Sequence, residues 1–522
     1  MGAEGVEFDV VIVGLGPVGA TGAILFAEAG LRVAVIERDP EVYRLPRAVN
    51  LDGEIVRAMQ RVGRGEAVAE LLQPVRPGER AGFTDGSRNW LFGTEVRDFG
   101  PNGWQPMNMF DQPELEAYLR AEAIGHDRVT ANIGFEATDI DDDGDRVMVT
   151  MVPVDGGTAS VVTGRWLVAC DGAASSTRKR LGIGWESLGY DHDWLVVDVT
   201  VGDGNTLDLD TVQVCGPDRL VTYVCTKDPY RRWEFRLNDG ETAEHMLDPE
   251  TIAGLIDPWT PRGTYELRRA AVYQFHAATA ERWRVGNVFI AGDAAHQTPP
   301  FLGQGMNAGM RDVVNLAWKL PLVSTGICGV GLLDTYADER DGHARDLVEW
   351  AVSIGRLMEH LADVERAERT GETRPAMPAE LHSSGYGQGR GQPPLRAGAV
   401  RPDQVGDGAA GHLLTQPIVR DDTGRRRRLD DLLGPGFAVV ARTAGDVKLS
   451  ARSRAVLDRL DASVVVLDGL EVERGRLDRL YDSSAAAIVR PDRVVYGCTT
   501  DDVDLDGLVA SLARSLHLDP IP

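Results

Sequence analysis

The sequence lacks any apolar run near the 18 or so residues that a membrane-spanning helix needs, and basic residues are few beside the acidic ones. Across 522 residues, 80 Asp and Glu outnumber 55 Lys and Arg, which gives a formal net charge of −25. Nucleic acid and anionic membranes repel such a chain, so neither is an expected partner. The first residues, MGAEGVEFDV, lack the basic and apolar regions of a secretory signal, so we expect a cytoplasmic protein.

Cysteine is also scarce, and its spacing matches neither a disulfide framework nor a metal site. The number is odd and no C-x-x-C pair occurs, which fits free thiols in a reducing compartment and predicts no bound metal. The five cysteines are Cys170, Cys215, Cys225, Cys328 and Cys498.

A glycine-rich turn near the N-terminus carries the strongest local pattern. An apolar, β-branched run ends at Val13, and Gly14, Gly16 and Gly19 then form G-x-G-x-x-G. The first glycine permits a tight turn, the second lets a pyrophosphate approach the backbone, and the third lets the helix pack on the strand. Glu37 ends the next apolar strand, where its carboxylate can accept hydrogen bonds from ribose hydroxyls. This predicts a dinucleotide site for FAD or NAD rather than NADP.

Two later segments have the same strand–turn–helix character. The strand WLVAC leads into D-G-x-x-S-x-x-R, which places Asp171, Ser175 and Arg178 near one point. The strand NVFIAGD, ending at Asp293, leads through a Pro- and Gly-rich turn to a helix expected from near Met306 to Leu320. Helix N-termini in both places can direct backbone N–H groups at a ligand. His296 has no second base or metal ligand at a useful spacing and is interpreted as a packing histidine.

Length and composition predict more than one domain, because 522 residues exceed what one hydrophobic core usually supports. Alternating strands between residues 190 and 275 predict a mostly antiparallel sheet with one face free to cover a pocket. Residues 371–411 are rich in Gly, Pro and Ser and predict a linker. The last hundred residues predict a small α/β unit with a helix near 450–460 and strands at 437–442, 463–468 and 485–489.

The three glycine-bearing motifs, in this order, resemble those of the single-component FAD-dependent aromatic hydroxylases, the para-hydroxybenzoate hydroxylase group. The segments PRAVNLD, FDQPELEAYLR and RRWEFRL most resemble the branch of 3-(3-hydroxyphenyl)propionate hydroxylases and related polyketide hydroxylases. The resemblance implies an α/β fold, with an FAD-binding Rossmann domain, a β-sheet substrate domain and a C-terminal thioredoxin-like α/β domain. The expected bounds are 1–185 with 276–370 for the FAD domain, 186–275 for the substrate domain, 371–411 for the linker and 412–522 for the thioredoxin-like domain.

The resemblance also implies which residues meet FAD, while the substrate contacts are weaker candidates from the sheet domain. The family has no Rossmann site for the nicotinamide cofactor, so NADH and NADPH both remain open as co-substrate. The residues expected at FAD are Gly14, Gly16, Pro17, Val18, Gly19, Glu37, Arg38, Arg47, Gln112, Asp171, Gly172, Gly292, Asp293, Pro300, Gly303, Gly305, Met306 and Asn307. The candidates for substrate contact are His192, Gln213, Tyr223 and Tyr273.

The activity implied is hydroxylation of a small phenolic substrate with NAD(P)H and O2 through a flavin C4a-hydroperoxide. Beyond activating the phenol and excluding water, that chemistry needs little from acid–base residues of the protein, so the lack of an evident catalytic dyad does not count against it. Two alternatives stay open, a flavin-dependent reductase or dehydrogenase and a non-catalytic flavin-binding scaffold. No cysteine lies between Phe437 and Leu460, so the C-terminal domain is expected to serve structure or homodimer contact rather than thiol chemistry.

Overall fold

The first strand, Phe8–Val13, lies inside an eight-stranded sheet in which five strands run parallel. The structure is a computed structural model and describes residues 7–381, 392–406, 408–477 and 484–518. The parts of the predicted linker at 382–391 and 407 lie outside the described residues. This first sheet consists of Phe8–Val13, Val33–Glu37, Val129–Ile133, Phe135–Asp142, Val147–Pro153, Ser160–Ala169, Arg284–Val285 and Val288–Ile290.

A second eight-stranded sheet is mostly antiparallel, as the alternating pattern predicts. Two long strands run from the first domain into it, and two strands from residues 80–95 extend it beyond the predicted 186–275 segment. In spatial order it contains His296–Gln297, Tyr265–Ala280, Trp185–Val201, Tyr230–Arg236, Leu220–Val224, Thr211–Cys215, Arg80–Asp85 and Trp90–Glu95. A two-stranded pairing joins Asn50–Asp52 to Met107–Met109.

The two faces of this second sheet differ in chemistry because side chains alternate along each strand. One face, the outer face, carries Val197, Tyr223 and Trp233, which pack with Ile252 and Ile256 of the short helix covering it. The inner face carries charged and aromatic side chains and turns towards the first domain. It is defined by Trp194, Asp198, Gln213, Thr222, Arg232 and Glu234.

Helices cover both sheets. The predicted helix of residues 306–320 is observed as Gly305–Ser324, and the long helix is Thr335–Thr370. The α-helices described are Pro17–Glu28, Gly53–Gln60, Gly65–Glu70, Gln112–Ile124, Ser176–Arg180, Ala243–Met246, Pro249–Ile256, Gly305–Ser324, Thr335–Thr370, Leu429–Leu433, Ala451–Arg459 and Leu505–Ser515. No helix in the described ranges combines the length and apolarity needed to cross a bilayer.

The C-terminal unit contains the elements predicted from its pattern. Ala438–Ala441 pairs parallel with Ser463–Val466 through the helix Ala451–Arg459, and Ala486–Val489 and Val495–Cys498 add as an antiparallel hairpin. A separate small sheet of Ile418–Arg420, Arg426–Arg428 and Glu471–Arg474 was not predicted. The thioredoxin-like description of this unit stays a prediction. All five cysteines of the chain lie in described segments, and each is a free thiol.

A buried ionic network joins the C-terminal unit to the long helix. The Arg490 guanidinium, fully buried, donates to both oxygens of Glu339 at 3.0 and 2.8 Å and to Asp492. Lys319 lies 3.0 Å from Glu339 on the other side. Although burial alone opposes ionisation, the charges of Arg490 and Lys319 lower the pKa of Glu339 from 4.5 to about 2. The C-terminal unit is therefore held to the first domain by buried ion pairs, and the loss of any one partner would leave an uncompensated buried charge.

A second cluster of buried charges lies at the same interface. Arg57 donates to both carboxylate oxygens of Asp430 at 2.8 and 2.6 Å, and Arg493 lies 3.2 Å from that carboxylate. Arg57 also donates to the Leu414 carbonyl at 2.6 Å. Removing residues 412–522 would therefore leave Arg57 without Asp430 and Glu339 without Arg490, so the C-terminal unit is part of the folded core.

We expect Arg490→Gln to destabilise the protein strongly, because it leaves Glu339 and Asp492 buried without their main counter-charge. Breaking a buried pair from one side costs about 3–5 kcal/mol, so the thermal midpoint should fall by several degrees. Glu339 is ionised in the folded protein down to about pH 2, so the wild-type advantage should shrink as pH falls from 4.5 towards 2.

Arg426→Gln is the matched control, since Arg426 pairs with Glu473 at 2.7 Å on the exposed small sheet. That variant should unfold at the wild-type temperature in a thermal scan. Equal midpoints for the two variants would contradict the role given to the Arg490 network.

Candidate cofactor and substrate site

Four loops meet at one edge of the first sheet because parallel strands present their carboxyl ends to the same side. Val13 is in register with Ala169 and with Ile36, and Ala169 is in register with Ile290. The residues that follow these strand ends belong to the predicted motifs. They are Gly14, Glu37, Asp171 and Gly292.

Two glycines of the fingerprint allow backbone contacts that no side chain permits. Gly14 has φ +96°, and a Cβ there would lie 2.5 Å from the Cys170 carbonyl oxygen. A Cβ on Gly19 would lie 2.0 Å from the Gly14 carbonyl oxygen. At Gly16, by contrast, no described atom lies within 4 Å of the position a Cβ would take. Gly14 and Gly19 therefore close-pack the turn, and Gly16 opens onto a cleft.

The helix Pro17–Glu28 presents its N-terminus to this cleft. Pro17 occupies the first helical position, where its missing N–H costs nothing. The first intrahelical acceptor is Gly16, whose carbonyl binds the Ala20 N–H at 2.9 Å, so the preceding N–H groups are free for an anion. The Val18 side chain packs beside Gly292 and Gly309. Val18 can therefore contact a ligand in the cleft only through its backbone N–H.

Glu37 lies at the end of its strand, 9% exposed, as the fingerprint predicts. Its two carboxylate oxygens accept the Leu15 N–H at 2.5 Å and the Asp39 N–H at 2.7 Å. Each oxygen retains a further lone pair for a ribose hydroxyl. The neighbouring Arg38 is exposed and makes a 3.6 Å ion pair with Asp39.

Gln112 shapes the loop that carries Arg47. Its side-chain oxygen accepts the N–H groups of Arg47 and Ala48 at 2.9 and 2.7 Å. Its amide nitrogen donates to Glu116 at 3.2 Å. The exposed Arg47 guanidinium lies over the Tyr43 ring, 4.7 Å from its centroid. The Gln112 side chain thus fixes the backbone of this loop, and the Arg47 side chain extends from the loop towards solvent.

The Asp171 turn is fixed by its own side chains. Asp171 accepts the Ser175 hydroxyl at 2.6 Å and the Thr177 N–H at 3.0 Å. The expected convergence of three side chains holds for Asp171 and Ser175 but is wrong for Arg178, whose guanidinium donates to the Ile183 carbonyl at 2.6 Å instead. Gly172 has φ +77° and faces open space, so the turn exposes its backbone.

Asp293 lines an open cleft. Its side chain reaches solvent, yet protein atoms surround it closely enough that desolvation raises the pKa of its carboxyl, against the opposing charges of His296 and Arg47. The adjacent Gly292 N–H donates to Asp312 at 2.9 Å.

Asp312 and Arg340 hold the Gly292 turn in place, and the sequence patterns did not identify either residue. Asp312 receives the Arg340 guanidinium at 2.8 Å and lies 3.0 Å from His296 Nε2. His296 is fully buried and stacks on Trp283, 5.5 Å between ring centroids, in agreement with its interpretation as a packing residue. No signal in the sequence links residues 28 positions apart on two helices.

The turn before the helix Gly305–Ser324 is held by the Asn307 side chain. Its oxygen accepts the Asp52 N–H at 2.9 Å, and its amide donates to the carbonyls of Asn50 and Gly303 at 3.0 and 2.9 Å. Among the described residues, the N–H groups of Gly305, Met306 and Asn307 have no acceptor. A Cβ on Gly305 would meet no described atom within 4 Å. This second helix N-terminus is therefore also available to a ligand.

The Pro300 turn connects the two sheets. Pro300 begins a short 3₁₀ segment, Pro300–Leu302, and the buried Phe301 within it packs edge-on against Tyr190 and Trp194 at centroid distances of 5.5 and 5.4 Å. The inner face is tied to the other loop as well, because Arg232 donates to the carbonyls of Arg47 and Pro46 at 2.6 and 2.9 Å. The inner face thus closes over the edge where the four loops meet.

The structure separates the four substrate candidates. Gln213 lies on the inner face, where its side-chain oxygen accepts the Thr222 hydroxyl at 2.6 Å, and Tyr273 accepts a hydrogen bond from Arg269. His192 lies at the margin beside Arg236 and Glu359, and desolvation and Arg236 lower its pKa. Tyr223 is on the outer face, packed on Trp233 and Trp259, so expecting it at the substrate was wrong.

The site fits FAD on its own geometry. Two helix N-termini with free N–H groups, two open glycine positions and the Glu37 carboxylate match two phosphates, a close backbone approach and a ribose. In the described ranges, no group of three or more His, Cys, Asp or Glu is arranged to hold a metal ion.

Family comparison gives the same assignment. Residues 7–351 match the model of the FAD binding domain family, and residues 411–515 match that of the HcaD C-terminal domain. The chain belongs to the single-component FAD-dependent aromatic hydroxylases. The fold, the FAD cofactor and the hydroxylase class expected from the motifs are confirmed, and neither the reductase nor the scaffold alternative is supported.

Relatives of this hydroxylase cover nearly its whole length. A probable NADH-specific resorcinol 4-hydroxylase of Rhodococcus jostii (strain RHA1) is 32% identical, over 100% of this chain and 97% of the relative. A 3-(3-hydroxy-phenyl)propionate/3-hydroxycinnamic acid hydroxylase of Burkholderia cenocepacia (strain HI2424) is 32% identical over 96% of each. The solved structure of aklavinone-11 hydroxylase with FAD and aklavinone superposes with TM-score 0.78 at 27% identity, covering 98% of this chain and 99% of that one.

Two alanine substitutions in the fingerprint should differ in their effect on the stability of the apoprotein. Gly16→Ala points a methyl group into open space, so the apoprotein should keep its thermal midpoint while FAD affinity falls about tenfold or more. Gly19→Ala forces a methyl group into the Gly14 carbonyl, so the apoprotein itself should be destabilised. Thermal scans of the apoproteins and fluorescence titration with FAD measure both effects. A Gly16→Ala protein that binds FAD like the wild type would place the cofactor elsewhere.

Proposed function

We propose that this enzyme hydroxylates a small phenol, held between the inner face and FAD, with NADH or NADPH and O2 as co-substrates. The observation that supports this most is the juxtaposition of two surfaces. The cleft with two free helix N-termini is covered by a buried, polar sheet face. Two contacts join them, because Arg232 of the sheet binds the Pro46–Arg47 loop and Phe301 of the Pro300 turn packs on Trp194 of the sheet. The relatives named above for resorcinol and for hydroxyphenylpropionate support a single-ring phenol as substrate class.

The residues of the cleft divide the binding of FAD between them. The N–H groups at the start of Pro17–Glu28 bind the pyrophosphate, and Glu37 accepts the adenosine ribose hydroxyls. Asp293 would contact FAD from the Gly292 turn, and the free N–H groups of Gly305, Met306 and Asn307 would stabilise the electron-rich part of the flavin ring. Arg47, Gln112 and Asp171 shape the loops that enclose the dinucleotide.

Bound FAD supplies the redox chemistry that couples nicotinamide oxidation to oxygen transfer. The chain's own task is to hold the phenol ring in a fixed orientation and to exclude water, because water in the site would divert oxygen to hydrogen peroxide. The aromatic contact of Phe301 with Tyr190 and Trp194 seals one end of the inner face. At the other end, the salt bridge of Arg232 and Asp198 and its contact with the Pro46–Arg47 loop seal the junction.

We also propose a cytoplasmic setting for the enzyme. Five free cysteines and the strongly acidic chain support a cytoplasmic enzyme. The exposed side chains Val464 and Val472 of the C-terminal unit support the homodimer contact proposed for it. Light scattering on the purified enzyme tests the oligomeric state, and a monomer at micromolar concentration would exclude the dimer.

The activity test is oxygen uptake driven by NADH, and separately by NADPH, with a panel of single-ring phenols that includes resorcinol and 3-(3-hydroxyphenyl)propionate. We expect at least one phenol to accelerate nicotinamide oxidation and to yield a product with one added atom from ¹⁸O₂, detected by mass spectrometry. Gly16→Ala, reconstituted at the same FAD concentration, should lose activity in proportion to its FAD content. Absence of an ¹⁸O-labelled product from every phenol in the panel would refute the proposed function.

A further inference from the structure

Glu234 is a carboxyl group without a hydrogen-bond donor on the inner face of the second sheet. It is 4% exposed and lies in the strand Tyr230–Arg236, in register with Val196 on one side and Thr222 on the other. Among the described residues it accepts no hydrogen bond, and its nearest cation is Arg232 Nη1 at 3.9 Å. A buried carboxyl group normally has a hydrogen-bond donor, so a carboxyl group that lacks one indicates a group that another molecule completes.

Glu234 lies between the two contacts that join the inner face to the Pro46–Arg47 loop and the Pro300 turn. Two residues before it, Arg232 binds the Pro46–Arg47 loop, and Asp198 receives the other side of that guanidinium at 2.7 Å. Across the neighbouring strand, Trp194 packs on Phe301 of the turn that precedes Gly305. Glu234 therefore faces the space bounded by both loops rather than the apolar outer face.

The charges around Glu234 leave it on the border of ionisation. Burial and the nearby Asp198 raise the pKa of Glu234 to about 7, against the opposing charges of Arg232 and Arg269. Among the described residues, the charged groups that act on Glu234 are these three, which lie on its own strand and on the strands Trp185–Val201 and Tyr265–Ala280. Arg232 is itself engaged by Asp198 and by two carbonyls, so it cannot serve as a dedicated partner of Glu234.

We propose that Glu234 is the substrate-facing base of the hydroxylase, which accepts the hydrogen bond and then the proton of the phenolic hydroxyl. The O–H bond of the phenol breaks, the proton moves to a carboxylate oxygen of Glu234, and the electron pair stays on the phenol oxygen. The resulting phenolate donates electron density to its ortho and para carbons, where oxygen transfer takes place. Thr222 and Gln213, already paired with each other beside it, orient the hydroxyl. This inference rests on the proposed function.

The test compares Glu234→Gln with the wild-type holoenzyme, using the phenol of the panel that gives the highest rate. Glutamine keeps the shape but cannot take the proton, so product formation should fall about 100-fold while NADH oxidation continues and releases hydrogen peroxide. In the wild type, kcat/KM should rise with pH and level off above about 7, because the carboxylate is the active form. The variant should lose that limb of the profile. Binding of the same phenol, followed by flavin fluorescence without NADH, should weaken below pH 7 in the wild type only.

Two further variants separate chemistry from folding. Glu79→Gln removes a carboxylate that is buried to the same 4% but pairs with Arg76, away from the inner face, and should keep both the rate and the pH limb. Glu234→Asp keeps a carboxyl group and should retain the pH limb at a reduced rate. FAD content and the thermal midpoint are measured for each variant.

The outcomes distinguish the two proposals. A Glu234→Gln enzyme with wild-type coupling and an unchanged pH limb would overturn the role of Glu234 and leave the hydroxylase intact. A wild type that labels no phenol with ¹⁸O would overturn the proposed function, and the role of Glu234 with it.

Discussion

Close backbone contact between glycine turns is the constraint on which the rest of the molecule depends. Gly14 meets the Cys170 carbonyl, Gly19 meets Gly14, and Gly309 packs against Gly292, each at a distance that leaves no space for a Cβ atom. These contacts bring three strand ends and two helices to one edge of a parallel sheet. The anion site then arises from backbone N–H groups alone, and for this reason it needs few charged side chains.

The second sheet turns this anion site into an enclosed one. Its outer face is an ordinary apolar core under a short helix, but its inner face keeps charges that would be costly to bury without a function or a partner. Most of them are satisfied across the junction, as Arg232 is by Asp198 and by the Pro46–Arg47 loop. Glu234 is the exception, and that difference from its neighbours assigns it to the substrate rather than to the fold.

The C-terminal unit contributes stability to this arrangement through buried ion pairs. Arg490 and Lys319 keep Glu339 ionised near the N-terminus of the long helix, and further along the same helix Glu359 pairs with Arg236 at the margin of the inner face. Buried ion pairs stabilise a fold weakly compared with apolar packing but are costly to break. They therefore fix the orientation of the C-terminal unit more than they strengthen its attachment. One helix thereby contacts both the C-terminal unit, through Glu339, and the substrate side, through Glu359.

Local patterns were sufficient for the elements whose signal lies in consecutive residues. The fingerprint turn, the helix Gly305–Ser324 and the strands of the C-terminal unit all follow from apolar periodicity and glycine placement. Some roles were assigned wrongly where a side chain finds a partner that the local pattern does not show. Arg178, expected beside Asp171 and Ser175, instead donates to the Ile183 carbonyl.

By itself, therefore, the sequence determined the family, the cofactor and the order of the elements, because those depend on short-range steric requirements that single residues reveal. Only the tertiary structure decided which side chains share a face. Tyr223 and Glu234 lie on adjacent strands of one sheet, and the alternation of side chains directs the first into an apolar core and the second towards the cofactor loops. The register between strands sets that difference, and register is decided by long-range pairing that no local pattern contains.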